Sequence, residues 1–245
     1  MDWIITPTYN ERNNIRTLVN KIFTLYPAIH ILVCDDNSPD GTAEVVKELQ
    51  RQYPNLHLKQ RDSKRGLASA YLESFKDVLR EYSDVRAIIT MDADLSHDPA
   101  VIKTMLKEIE THDLVLGSRY VSGGGVRNWA LWRRILSRAG NLYAHIVTQS
   151  SIHDLTTGFH CYKRDLLERY DLDAVKATGF GFLMEMKIIA ERLDARIKEI
   201  PIIFPGRTDG QSKLSNHIIY EGLMMPWRFS PLVIRMYNKR RPADD

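Results

Sequence analysis

The chain has 245 residues, 44% of them apolar and 27% charged, with 34 basic against 31 acidic side chains and a formal net charge of +3. This composition excludes wholesale disorder and a histone-like protein that coats nucleic acid by bulk charge, and the length fits one domain with at most a short appendage. Two cysteines, Cys34 and Cys161, make no disulfide framework and point to a reducing compartment.

Short apolar runs alternate with amphipathic stretches through the first half. Trp3–Thr6 predicts a strand, and Pro7-Thr8-Tyr9-Asn10-Glu11 leads into a helix with Ile15, Leu18, Val19 and Ile22 on one face. His30–Cys34 predicts a second strand, followed by Asp35-Asp36-Asn37-Ser38-Pro39-Asp40-Gly41 and a helix from Thr42 to about Tyr53. Leu56–Lys59 reads as a third strand, and a helix then runs through Ala70, Leu72, Phe75 and Leu79. Ala87–Met91 is a fourth, ending in Asp92-Ala93-Asp94, with Asp98-Pro99 opening the next helix; Leu114–Leu116 is a fifth. Alternation of this kind predicts right-handed crossovers and a largely parallel sheet, with the polar motifs at the carboxyl ends of its strands, where open α/β sheets bind ligands. After Gly123-Gly124-Gly125 the pattern loses its regularity.

The N-terminus lacks the charged and apolar regions of a signal peptide, and no run approaches the roughly 18 apolar residues of a membrane span. The stretch from Gly222 to Met236, interrupted by Pro226, Arg228, Pro231 and Arg235, is suited to lying on a membrane rather than crossing it.

Charge is unevenly distributed. Leu114 to His153 contains no acid and five arginines, Arg119, Arg127, Arg133, Arg134 and Arg138. Gly210 to Ala243 carries six basic residues against Glu221 alone, so each zone is +5 and the remainder is −7. An acidic body with two cationic zones suits a protein that handles anions at chosen places. Arginine forks fit phosphate oxygens, and without acids nearby they are expected to stay unneutralised. Trp129, Leu131 and Trp132 interleave with them, a composition that fits a membrane interface or a single-stranded nucleic acid.

Asp92-Ala93-Asp94, directly after a strand, offers two hard oxygen ligands for a divalent cation such as Mg²⁺ or Mn²⁺; the alternative is that Asp94 and Ser96 cap the helix near Pro99. Asp35 to Gly41 reads as a turn or, because two adjacent acids end a buried strand, as a nucleotide contact. Arg207 and Lys213 lie in a glycine-bearing loop that is either an ordinary surface loop or one that closes over a phosphate. No Gly-x-Gly-x-x-Gly follows the first strand and no Walker loop occurs, which argues against a dehydrogenase and a P-loop NTPase. The histidines lack metal spacing, and no nucleophile elbow is present.

In order, Pro7-Thr8-Tyr9-Asn10-Glu11-Arg12-Asn13-Asn14, Asp35-Asp36-Asn37-Ser38-Pro39-Asp40-Gly41-Thr42, Gly66-Leu67-Ala68-Ser69-Ala70-Tyr71, Met91-Asp92-Ala93-Asp94-Leu95-Ser96-His97, Gly117-Ser118-Arg119-Tyr120, Asp154-Leu155-Thr156-Thr157-Gly158-Phe159 and Gly210-Gln211-Ser212-Lys213-Leu214 resemble the dolichol-phosphate (polyprenol-phosphate) mannose synthases of glycosyltransferase family 2. The resemblance covers residues 3 to 215. It implies an α/β, Rossmann-like GT-A fold: a single domain, 1–215, with a mainly parallel central sheet flanked by helices. Residues 1–116 would be the nucleotide-sugar half and 117–215 the acceptor half, and 216–245 a basic, amphipathic, membrane-proximal segment.

It further implies inverting transfer of mannose from GDP-mannose to dolichyl or polyprenyl phosphate, with a related donor such as UDP-glucose as the alternative. Pro7, Tyr9, Glu11, Asp36 and Arg65 would bind the nucleotide. Asp92, Asp94 and Ser96 would hold the metal, Arg119, Arg133 and Ser137 the acceptor phosphate, and Arg207 and Lys213 the donor pyrophosphate, with Asp94, Arg119, Arg133 and Lys213 as the catalytic set. The implied setting is peripheral, on the cytoplasmic face of a membrane, with room for an accessory membrane subunit and no nucleic-acid partner. Two residues depart from the family pattern: His160 where arginine is frequent, and Leu183 where glutamine is.

Overall fold

The computed structural model describes residues 1–176, 179, 181–205 and 216–230, and the side chains of all of these except 216–222. The apolar runs form β1 (Asp2–Thr8), β2 (His30–Asp35), β3 (Leu56–Gln60), β4 (Ala87–Thr90) and β5 (Leu114–Ser118). Between them lie α1 (Arg12–Leu25), α2 (Thr42–Gln50), α3 (Leu67–Glu81) and α4 (Ile102–Glu108), the last opened by a 3₁₀ turn at Pro99–Val101. These match the elements expected from the sequence to within a few residues.

The less regular second half supplies β6 (Gly125–Val126), α5 (Leu131–Thr148), β7 (His160–Lys163), α6 (Arg164–Arg169), α7 (Gly181–Arg192), β8 (Ile197–Pro201), β9 (Ile203–Phe204) and α8 (Asn216–Phe229). Seven strands make one sheet in the order β3-β2-β1-β4-β7-β5-β8, and β6 pairs with β9. Among the described strands of this sheet only β7 runs antiparallel, against β4 and β5: its first residue, His160, pairs with Thr90, the last of β4, so the chain enters β7 from the carboxyl edge of the sheet.

Period-two burial divides the core between the two faces. Trp3, Ile5 and Ile88 pack with α3 residues Tyr71 and Phe75 and α7 residue Phe182, whereas Ile4, Ile31 and Ile89 pack with Ile15, Leu18 and Ile22 of α1 and Met105 of α4. Each fully buried aliphatic or aromatic side chain contributes about 1.5–3 kcal/mol. β1 pairs with β2 on one side and β4 on the other, so the direction of strand progression reverses between β1 and β4. The crevice at the carboxyl end of that reversal is the expected ligand position of an open α/β sheet.

α5 inverts the usual arrangement. Leu131, Ile135, Leu142 and Ile146 recur at helical spacing but are 58–70% exposed, and Trp132 beside them is also exposed. The helix packs on α8, where Tyr143 donates to the Leu223 carbonyl and Trp227 Nε1 donates to Tyr143 Oη. Leu223, Met224 and Trp227 extend the exposed apolar surface. α8 continues through Pro226. No helix among the described residues is long and apolar enough to cross a membrane.

Candidate active site

Three loops leave the carboxyl ends of β1, β2 and β4, and each turns through a residue with left-handed backbone: Asn10 (φ 61°), Asn37 (φ 58°) and Leu95 (φ 62°). Asparagine adopts that conformation readily. Leucine does not, and holding it there costs on the order of 1–3 kcal/mol. The strained turn folds Ser96 back so that its N–H donates to Asp94 Oδ1 at 3.1 Å.

On the β1 loop, Pro7 sits inside the strand. The β1–β4 pairing ends at Ile5, so the proline's missing N–H removes no bond to that neighbour. Lys64 Nζ lies 3.6 Å over the Tyr9 ring. Glu11 precedes α1; its N–H donates to Thr42 Oγ1 and its carboxylate accepts from Asn14 Nδ2 at 2.8 Å. The two adjacent acids at the end of β2 separate in role. Asp35 accepts from Thr8 Oγ1, Ser38 N and Ser38 Oγ, which is turn chemistry. Asp36 is buried and accepts from the backbone N–H groups of Arg65 and Gly66 and from the Arg61 guanidinium at 2.9 Å. The Arg65 guanidinium rests on Glu73 at 2.8 Å, so this residue reaches the site through its backbone. Arg61, with a fully buried side chain, was not singled out from the sequence; only its proximity to Asp62 and Arg65 in a polar loop marked it.

Beyond β4, Asp98, not Asp94 or Ser96, caps the following helix by accepting from Ala100 N at 3.0 Å. The capping alternative is thereby removed for the Asp92–Asp94 pair. The Ser96 hydroxyl is buried and makes no hydrogen bond. Two carboxylates and a buried orphan hydroxyl on one tight turn are a hard-oxygen set that fits Mg²⁺ or Mn²⁺. No three His, Cys, Asp or Glu side chains among the described residues converge as a metal centre, so the set offered is two carboxylates plus the serine. His97 is buried and its Nδ1 accepts from Asp92 N at 3.1 Å; burial lowers its pKa against the opposing pull of Asp92 and Asp94. The ring stacks on Phe159 at 4.7 Å and meets Phe204 edge-on at 5.8 Å.

Arg119 ends β5. It was expected to stay free of acids, and this is corrected: its Nε donates to Asp154 Oδ2 at 2.8 Å, its Nη2 to Asp154 Oδ1 at 2.9 Å, and its backbone N–H to Oδ2 at 3.0 Å. The partner stands one residue beyond the acid-free stretch. Burial alone would raise the Asp154 pKa, but the guanidinium outweighs it and holds the carboxyl well below the usual range.

Tyr120 Oη and Ser137 Oγ are 2.8 Å apart, and with Arg119 they line a cavity of about 340 Å³. Arg134 and Arg138, two residues of the arginine zone not assigned to the site from sequence, also line it, as do apolar Leu131 and Ile135. Their i, i+4 spacing on α5 was the signal available. Arg133 stands beside this cavity, its guanidinium carbon 4.2 Å from the Trp129 ring centroid. The structure therefore brings Arg119 and Ser137 together, with Arg133 adjacent, while Arg207 and Lys213 lie outside the described residues.

The model of glycosyl transferase family 2 matches residues 3–171. The chain is 40% identical to the polyprenol monophosphomannose synthase of Mycolicibacterium smegmatis over 222 residues, covering 90% of this chain and 83% of that protein. It is 38% identical to the undecaprenyl-phosphate mannosyltransferase of Micrococcus luteus over 220 residues, 90% of each chain. In fold it resembles glucosyl-3-phosphoglycerate synthase from Mycobacterium tuberculosis, solved with Mn²⁺, UDP-glucose and phosphoglyceric acid, at a TM-score of 0.65 and 16% identity over 100% of this chain and 81% of that one.

Proposed function

The chain belongs to glycosyl transferase family 2, and from the site it builds we propose that it transfers mannose from GDP-mannose to the phosphate of a long polyisoprenoid, dolichyl or polyprenyl, with inversion at the anomeric carbon. The names of the two relatives support this acceptor and sugar. The observation that carries the reading is the cavity of Arg119, Tyr120, Ser137, Arg134 and Arg138: an anion site walled on one side by apolar side chains that continue onto an exposed apolar helix face. A phosphate attached to a hydrocarbon chain has that pair of requirements.

The acceptor phosphate needs no strong base, since its second pKa is about 6 and it carries its nucleophilic charge near neutrality. It needs orientation. Asp154 takes the Nε and Nη2 edge of Arg119 and so fixes the guanidinium, leaving Nη1 for the acceptor phosphate, and Ser137 and Arg133 complete the phosphate contacts. Residues 1–116 form the nucleotide half in this scheme, with Pro7, Tyr9, Glu11, Asp36 and the Arg65 backbone arranged around the guanosine; 117–215 form the acceptor half. A divalent cation held by Asp92, Asp94 and Ser96 would neutralise charge on the departing pyrophosphate. Lys213 and Arg207 act over the same pyrophosphate.

The test is incubation with labelled GDP-mannose or UDP-glucose, Mg²⁺ or Mn²⁺, and polyprenyl phosphates of several lengths. Lipid-linked product from GDP-mannose is expected; product from UDP-glucose alone moves the assignment to the alternative donor.

The protein in this reading works peripherally on the cytoplasmic face of a membrane, through the apolar surface of α5 and α8, and the basic residues of 216–245 would meet its anionic headgroups. Leu142→Glu with Ile146→Glu places two charges on the exposed stripe and leaves the cavity residues untouched. Binding to anionic liposomes should fall by about tenfold or more, since each inserted apolar side chain is worth on the order of 1.5 kcal/mol. Unchanged co-sedimentation would remove α5 from the membrane face.

A further inference from the structure

Lys187 lies on α7 with no exposed surface and lines no part of the cavity. Its Nζ donates to the carbonyl of Asp154 at 2.9 Å and to that of Thr157 at 2.8 Å. Those two carbonyls bracket a segment of four residues. At its start, the Asp154 carboxylate holds Arg119 and also accepts from the backbone N–H groups of Thr156 and Thr157. Just past its end, the Gly158 carbonyl accepts from Thr90 Oγ1 at 2.8 Å on β4, the strand that leads to Asp92. A side chain added at Gly158 would place its Cβ 3.8 Å from Asp92 Oδ1. One short segment thus carries the anchor of the acceptor arginine at one end and borders a proposed metal ligand at the other.

His160 braces the same segment. Its Nε2 lies 2.7 Å from the Thr157 carbonyl, which can only accept, so this nitrogen carries the proton and Nδ1 accepts from Tyr162 Oη at 2.8 Å. The departure from the family's frequent arginine is therefore a neutral, buried imidazole, its pKa lowered by burial and by the nearby Lys187. The charged and titratable groups around Lys187 are Asp154 and Arg119 from the pair, His160 on β7 and Glu199 on β8. Burial lowers the Lys187 pKa to about 7, against the pull of Asp154 and Glu199. In its neutral form the amine has two N–H groups, matched to its two carbonyl partners.

A lysine in this position is an expensive way to fill space, because an amine withdrawn from water must be repaid by its bonds. Methionine or leucine would occupy the volume without that cost. What only the amine provides is the pair of bonds that fixes the Asp154–Thr157 backbone.

We propose that Lys187 is a positioning residue for the transfer reaction, a buried strut that sets the acceptor arginine Arg119, through Asp154, in register with the Asp92–Asp94 turn. The proposal rests on the mannosyl-transfer reading. It follows that removing the strut displaces the acceptor and leaves the nucleotide half, built on β1 and β2, unmoved.

The test is steady-state kinetics of the full chain with wild type, K187M and K187Q, varying GDP-mannose and polyprenyl phosphate separately. K187M should raise KM for the polyprenyl phosphate by about tenfold and lower kcat by a similar factor, with KM for GDP-mannose within twofold of wild type. K187Q, which keeps an NH₂ donor, should recover part of the loss. An unchanged acceptor KM overturns the proposal, and where kcat falls with both KM values unchanged the loss marks a smaller folded fraction. Failure of both variants to yield soluble protein also overturns it, by making Lys187 a determinant of folding. Absence of transfer by the wild type contradicts the function itself, an outcome separate from any behaviour of the variants.

Discussion

Asp94→Ala is expected to abolish transfer, lowering kcat by at least about 10³-fold, with little effect on the unfolding midpoint. The carboxylate sits on a turn outside the strands, and the helix that follows is capped by Asp98, so removing Asp94 costs no cap. What is lost is one of the two carboxylates proposed to hold the metal, next to the buried, unpartnered Ser96 hydroxyl. Asp98→Ala is the matched control: it should cost about 1 kcal/mol of stability and leave metal-dependent transfer near the wild-type rate. Full activity with Asp94→Ala would sink the metal assignment, and so would equal losses from both substitutions.

Asp154→Asn carries the second large effect. Removing one charge from a buried, multiply bonded pair leaves the Arg119 guanidinium uncompensated, at a cost of about 3–5 kcal/mol. Transfer should fall as well, because the guanidinium proposed to meet the acceptor phosphate loses its fixed orientation. A double variant separates the two consequences. Arg119→Met with Asp154→Asn removes both charges and should regain much of the stability measured by urea denaturation, yet remain inactive. Recovery of activity in the double variant would show that Arg119 does not hold the acceptor. Loss of stability that adds across the two single variants would show that the pair is not coupled.

The parts legible in the sequence were those written in local pattern. The β1–β5 strands and α1–α4 helices declare themselves through period-two and period-3.6 burial, and the site loops through polar runs at strand ends. The parts that were not legible depend on distant pairing. Arg119 finds its counter-ion 35 residues later, just past the end of a stretch whose lack of acids suggested an open cationic field. β7 is only four residues long and runs against its neighbours, which no alternation of strand and helix signals. Lys187 is hidden within an almost wholly buried helix, where one amine in an apolar run has no visible partner until Asp154 and Thr157 are brought beside it. α5 has the periodicity of a core helix but leaves its apolar stripe exposed, a choice made by what surrounds the helix and not by its own sequence.

The central claim is that the phosphate of a polyisoprenoid accepts the sugar at the Arg119 cavity. The measurement that bears on it most directly is partition of label from GDP-mannose into the organic phase, with polyprenyl phosphate compared against the matching polyprenol. The account predicts metal-dependent, organic-phase label with the phosphate, none with the alcohol, and loss of that label in Asp154→Asn. Label that remains aqueous with every polyprenyl phosphate, or that transfers equally to the alcohol, would contradict it.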